Sequence, residues 1–222
     1  MKISVIIPTL NEEEAIGKVL KEIPREDVYE VIVVDSSTDG TPKIAENLGA
    51  KVVSEPRKGY GRALLSGVEK ARGDIVVYID GDFTYDPKDI PQLVKPIVDG
   101  DCDVVMGNRL NKKMHLGAMD LVNRIGNTLL SLIFSFVYLR KVDDTQCGLR
   151  AMRKKVLEGI SYKEYGMPYV TEQLIKLVKK GVRIGNLAVT YRPRIGTTKL
   201  CAWADGFKIL KIILRELFEK QS

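Results

Sequence analysis

Four short runs of β-branched and aliphatic residues, each followed by a helical pattern, govern what the first hundred residues can become. "ISVIIP" (3–8), "EVIVVD" (30–35), "KVVSE" (51–55) and "DIVVYID" (74–80) are nearly continuous in apolar character. Strands of that kind are covered on both sides, as in a parallel sheet with helices on either face. The segments between them supply the helices. Asn11, with Glu14 three residues on, reads as a cap for a helix whose inner face is Ala15, Ile16, Val19, Leu20 and Ile23. Thr41-Pro42 opens a second helix that Gly49 ends, and residues 60–72 form a third, stopped by Gly73. The alternation predicts an α/β fold with a mostly parallel central sheet and helices on both faces.

The pattern continues through "IPQLVKPIVDG" (90–100), a helix that Pro96 should kink, and "CDVVMGNR" (102–109), another strand. Beyond Arg109 it loosens. Residues 124–141 hold an apolar stretch, Leu129 to Leu139, interrupted only by Ser131 and Ser135. That is far short of the ~20 residues that span a bilayer, so it reads as a buried helix or as one lying in a membrane interface. Residues 146–160 read as strand then helix, 169–180 as a helix, and 182–194 as extended. The C-terminal "DGFKILKIILRELFEKQS" is amphipathic. Its apolar face carries Leu210, Ile213, Leu214, Leu217 and Phe218, and the opposite face Lys208, Lys211, Arg215 and Glu219. No repeat or linker interrupts the chain, which predicts one domain over 1–222.

Charge divides the chain where the pattern changes. Residues 1–108 carry 13 Lys+Arg against 20 Asp+Glu, whereas 109–222 carry 22 against 9. The basic half is suited to an anionic partner such as a phosphate or a membrane surface. Three cysteines, Cys102, Cys147 and Cys201, lie far apart without a paired motif. They suggest neither a disulfide framework nor a zinc site, and they point to a reducing compartment. The first fourteen residues turn acidic after a short apolar run and read as a strand rather than a signal peptide.

The chemistry concentrates at strand ends. Ligands of open α/β sheets bind beyond the carboxyl ends of the strands. There the sequence places Pro8, Leu10 and Glu12 after the first strand, Asp35 after the second, and Asp80-Gly81-Asp82 after the fourth. Two acids one residue apart repel each other unless a cation or a donor sits with them. Hard oxygen ligands of this kind suit Mg²⁺ or Mn²⁺, which keep waters and bind substrate phosphates too. A dinucleotide-binding dehydrogenase is excluded, because no G-x-G-x-x-G follows the first strand. "KGYGRA" (58–63) has only two of the glycines and follows the third strand. No Walker A motif is present.

The segments "IIPTLNEE", "VVDSSTDGT", "KGYGRALLSG", "YIDGDFTYDP", "GNR" and "DTQCGLRAMRKKVL" occur in the order seen in inverting family-two glycosyltransferases. "DTQCGLRAM" and "YRPRIGTTKL" resemble more narrowly the dolichol-phosphate mannose synthase group. The resemblance covers nearly the whole chain and implies the GT-A fold, a Rossmann-like nucleotide-diphospho-sugar transferase architecture. It also implies transfer of mannose or glucose from GDP-mannose or UDP-glucose to a polyprenyl or dolichyl phosphate. Carried over by position, Pro8, Leu10 and Glu12 would line the nucleotide pocket and Asp35 would hold the base or ribose. Asp80, Gly81 and Asp82 match the D-x-D motif, with Asp82 the more direct metal ligand. Many relatives place Gln two residues further on as another ligand, whereas this chain has Thr84. Arg109, Arg124 and Thr128 match the positions that receive the acceptor phosphate, and Arg194 and Lys199 those that close over the diphosphate.

The implied catalytic set is therefore Asp82, Arg109 and Arg124, with Mg²⁺ or Mn²⁺ as cofactor. A hydroxyl acceptor is the alternative; it needs a carboxylate base, for which Asp144 and Glu172 are the candidates. A lipid phosphate implies a cytoplasmic protein peripherally associated with the membrane surface, directly or through a membrane-embedded subunit, and no nucleic-acid partner.

Overall fold

The structure, a computed structural model, describes residues 1–197 and 202–219, the first four of the last helix as backbone only. Seven strands form one sheet: β1 (Ile3–Thr9), β2 (Glu30–Asp35), β3 (Lys51–Ser54), β4 (Ile75–Tyr78), β5 (Val104–Asn108), β6 (Arg150–Arg153) and β7 (Ile184–Ala188). Their order across the sheet is β3-β2-β1-β4-β6-β5-β7. Neighbours are parallel except β6, which runs antiparallel between β4 and β5. The basic half thus threads a strand into the middle of the sheet that the acidic half begins.

Among the described residues there are seven α-helices: α1 (Ile16–Glu22), α2 (Thr41–Asn47), α3 (Tyr60–Lys70), α4 (Ile90–Val98), α5 (Leu121–Tyr138), α6 (Tyr169–Lys179) and α7 (Ala202–Phe218). Alternation along each strand sorts side chains between two cores. Val5, Ile7, Val31, Val33, Ile75 and Val77 pack with α1, α2 and α4. Ile6, Ile32, Val34, Val76 and Tyr78 pack on the other face with α3, α6 and α7. Complete burial of Val5, Ile6 and Ile7 in succession explains why the strand lacks an apolar/polar alternation.

Four expectations are corrected. Asn11 does not cap α1, which begins at Ile16. Its backbone is left-handed, φ 53°, and its Oδ1 accepts from Thr38 N at 2.9 Å, a bond to the next loop that outcompetes the cap. After β6 the chain makes only a 3-10 turn, Lys154–Leu157, before Gly159 at φ 72° turns it away. Helix α7 buries Ile209, Ile212, Ile213 and Glu216, so Leu214, Leu217 and Phe218 are exposed rather than inward. Its Arg215 is not a free basic face either, since it pairs with Glu164 at 3.0 Å and Glu216 at 3.2 Å.

The fourth correction concerns α5. The helix is longer than the apolar stretch and starts at Asp120, whose side chain accepts from Asn123 N at 2.7 Å. At 18 residues it is long and apolar enough, by length and composition only, to cross a membrane, and just 11% of it is buried. Ser131 and Phe134 are its buried residues. Leu121, Ile125, Leu129, Leu132 and Phe136 form an exposed stripe along the rest. The buried-helix reading therefore fails.

Candidate active site

Parallel strands ending side by side deliver their following loops to one edge, and a cavity of about 250 Å³ opens there. Pro8 reaches it from the end of β1, Leu10 and Glu12 from the loop after β1, and Asp80, Gly81 and Asp82 from the loop after β4. Arg194 comes from the loop that follows β7. A Cβ at Gly81 would lie 2.8 Å from Thr9 Cγ2, so only glycine lets the acid loop approach β1 this closely.

The acid pair is set by local bonds. Asp82 is buried, and its Oδ1 accepts from Thr84 N at 3.0 Å and Thr84 Oγ1 at 2.6 Å. Its Oδ2 meets Arg194 Nη2 at 2.5 Å, and the same guanidinium stands 3.7 Å from Glu12. Backbone bonds bring Arg194 there: Arg192 N donates to Thr84 O at 2.7 Å and Ile195 N to Asp82 O at 3.1 Å. Asp80 accepts from Tyr60 Oη at 2.6 Å. Burial and then the neighbouring Asp82 charge push the Asp80 carboxyl up to about 6, while the Tyr60 bond and the Arg194 and Arg109 charges act against them.

These two carboxylates fit a hard divalent ion. A cationic guanidinium already stands against Asp82, and among the described residues no group of three acidic, histidine or cysteine side chains is placed to hold a metal ion by itself. Two protein oxygens suit an ion that takes its other ligands from water and a substrate diphosphate. Thr84 is turned inward to Asp82, so it occupies one carboxylate oxygen instead of extending the set.

Other expected residues lie outside the cavity lining. Asp35 ends β2 beside it, and its carboxylate accepts from Thr9 Oγ1 at 2.7 Å and Ser37 Oγ at 2.6 Å. Arg109, just past β5, is buried in a bidentate pair with Asp144, at 2.7 and 2.9 Å. Arg124 and Thr128 are exposed one turn apart on α5, where Thr128 Oγ1 donates to Arg124 O at 2.8 Å. Lys199 lies outside the described residues.

The two candidate bases are committed to structure. Asp144 has no exposed side-chain surface; it holds Arg109 and also accepts from Gln146 N. Glu172, equally enclosed, accepts from Lys163 N at 2.9 Å and Glu164 N at 2.8 Å and pairs with Lys176. Neither lines the cavity.

Sequence reasoning missed Ser36, Lys58, Tyr60 and Met167, which also line it. "KGYG" belongs to the segments that carry the family resemblance, but the resemblance assigned no role to Lys58 or Tyr60. Met167 had none, because it arrives from the loop before α6.

An α/β sheet with an acid pair facing a cavity at its carboxyl edge is the arrangement expected of a glycosyltransferase of the GT-A fold. The chain belongs to glycosyl transferase family 2, whose family pattern matches residues 4–161. It is 37% identical to the dolichyl-phosphate hexose transferase of Haloferax volcanii over 99% of this chain and 95% of that one. It is 35% identical to the low-salt glycan biosynthesis hexosyltransferase of the same organism, over 96% of this chain but only 53% of the relative. Among solved structures it resembles glucosyl-3-phosphoglycerate synthase from Mycobacterium tuberculosis, at TM-score 0.79 and 26% identity, covering all of this chain and 81% of that one. That synthase has been crystallised with Mn²⁺, UDP-glucose and phosphoglyceric acid.

Proposed function

We propose that the protein transfers a hexose, mannose or glucose, from a nucleoside diphosphate sugar to a polyprenyl phosphate at a membrane surface. The observation that carries the acceptor assignment is α5. Arg124 and Thr128 are exposed beside its apolar stripe, so a helix lying in the interface holds a phosphate-binding pair at headgroup depth. The similarity to a dolichyl-phosphate hexose transferase supports the same reading.

The donor's diphosphate is received by the cavity, with Asp80 and Asp82 holding Mg²⁺ or Mn²⁺ and Arg194 moving onto the phosphates. The bound ion supplies charge stabilisation at the leaving nucleoside diphosphate. Arg194 supplements it, because negative charge grows on the β-phosphate as the bond from the sugar's C1 breaks. A phosphate monoester has a second pKa of about 6 and is largely dianionic at neutral pH. One of its oxygens forms the new bond to C1 while the old C1–O bond breaks, a single displacement that inverts the anomeric centre. No general base is required, which agrees with the commitment of Asp144 and Glu172 to structural bonds. Arg109, fixed by Asp144, and Arg124 orient the incoming phosphate.

The likeness to glucosyl-3-phosphoglycerate synthase supports a second reading, a small phosphorylated acceptor that reacts through a hydroxyl. Incubation with labelled GDP-mannose and UDP-glucose, offering polyprenyl phosphate or 3-phosphoglyceric acid, separates the two. Label that extracts into organic solvent is expected with the lipid phosphate. Transfer to phosphoglyceric acid alone would replace the proposal with the second reading.

A further inference from the structure

The K-G-Y-G stretch has no role in the site as proposed, yet the structure builds around it. Gly59, at φ 149°, begins α3, and a Cβ there would lie 2.4 Å from Tyr165 O. Gly61 passes beneath α6, where a Cβ would come within 2.3 Å of Tyr169 Cβ. Arg62 N donates to Tyr165 O at 3.0 Å and Gly61 N to Gly166 O at 3.3 Å. Two glycines and two backbone bonds thus press the first turn of α3 against the loop before α6. The residue between the glycines is Tyr60. Its ring packs on the second core, and its hydroxyl projects into the cavity wall to donate to Asp80 Oδ1 at 2.6 Å.

Asp80 is confined from the other side as well. A Cβ at Gly148 would stand 2.6 Å from Asp80 Oδ2, and Gly148 is itself fixed by donating from N to Tyr85 Oη at 2.7 Å. The carboxylate therefore sits between a hydroxyl donor and a bare backbone, a small slot that admits one orientation. A side chain that shares a cation with a neighbouring acid needs such a fixed orientation, because a freely rotating one loses entropy on binding.

We propose that Tyr60 is a positioning residue for the cation that accompanies the nucleoside diphosphate: its hydroxyl holds the Asp80 carboxylate in the orientation that shares the ion with Asp82. This rests on the reading that Asp80 and Asp82 bind a divalent ion with the donor diphosphate.

The test is Mn²⁺ binding, followed by the electron paramagnetic resonance of free Mn²⁺, with GDP or UDP present. Wild type is expected to bind Mn²⁺ together with a nucleotide, and Asp82→Ala is expected to lose it. Tyr60→Phe keeps the ring and removes the donor. Its Mn²⁺ affinity should fall about tenfold, the scale of losing a partner that orients a metal ligand, with nucleotide affinity in EDTA unchanged and the protein still folded. Tyr78→Phe, in the same core but bonded to Gln173 at 3.2 Å, should bind Mn²⁺ like wild type. In the Asp80→Asn background, Tyr60→Phe should cost nothing further. Wild-type Mn²⁺ affinity in Tyr60→Phe, or an equal loss in Tyr78→Phe, overturns the positioning role alone. No Mn²⁺ binding by wild type overturns the donor-site reading, and this inference with it.

Discussion

The loops that follow β1 and β2 and the helix α5 use their residues in opposite ways. In the loops, polar groups find partners inside the protein: Asn11 with Thr38, Thr9 and Ser37 with Asp35, Glu13 with Gly40 N at 2.9 Å. On α5, Leu121, Ile125, Leu129, Leu132 and Phe136 stand in solvent, and Phe136 is 82% exposed. A rigid polar edge suits a ligand that arrives from water and is read by fixed hydrogen bonds. An uncovered apolar face suits something whose body is not in water. The two together are what the proposed reaction, with a soluble donor and an anchored acceptor, would use.

The largest expected effect lies just past β5. Arg109 and Asp144 form a buried bidentate pair, with 9% and 0% of their side chains exposed. Asp144→Ala leaves the guanidinium buried and uncompensated, which costs about 3–5 kcal/mol of stability. Urea unfolding should show it directly. A loss below about 1 kcal/mol would mean that Arg109 relaxes to solvent, and that the pair does not hold the end of β5 to the segment before β6.

Asp82→Ala should come next, with transfer reduced about 10²–10³-fold and the protein still folded. Full activity in this variant, or of wild type in EDTA, would remove the metal from the donor side.

These two sites were legible in the sequence to different degrees. The acid pair was plain, because an Asp-Gly-Asp at the end of an apolar strand has few structural uses. The positions of the first five strands were equally plain, because all but β3 are apolar runs buried on both faces. The pairing of Arg109 with Asp144 was not, since it depends on β6 entering between β4 and β5, which no local pattern signals. Asn11 misled because a side chain able to cap a helix bonds equally well to a neighbouring loop. The inward face of α7 misled because its amphipathic pattern was read as if one apolar stripe met one core. The helix instead buries a stripe rotated by about one residue and leaves Phe207, Leu214 and Phe218 outside.

The apolar face itself offers the third way to sharpen the contrast. Phe136→Ser removes one exposed aromatic ring from α5. If the face lies in a bilayer, vesicle binding should weaken by about 2 kcal/mol, the transfer value of one large apolar side chain. Stability in solution should not change, because the ring is 82% exposed there. Sedimentation with anionic vesicles measures the first and thermal melting the second. Unchanged sedimentation would make α5 a face for a protein partner, such as a membrane-embedded subunit.

The smallest effect tests the polar side by pH. Glu55, at the end of β3, accepts from Arg57 Nε at 2.8 Å, Arg57 Nη2 at 3.0 Å and Ser66 Oγ at 2.6 Å. The Arg57 bonds above all, then Ser66, hold its carboxyl down at about 2 against an ordinary 4.5. A carboxylate depressed on folding adds stability that is complete above its unfolded pKa and disappears as pH falls toward the folded value. Arg57 is 66% exposed on its side chain, so solvent screening limits the contribution to about 1 kcal/mol. Wild type should therefore melt a few degrees above Glu55→Gln at pH 6, and the gap should close between about pH 4.5 and pH 2. High salt should narrow it as well. The bond spans β3, the following loop and α3, the route that leads to Lys58 and Tyr60, so its loss should loosen nucleotide binding as the melting gap closes. Vesicle binding through α5, which has no carboxylate in its exposed stripe, should not follow the same titration; if it does, the polar edge and the apolar face are coupled rather than separate.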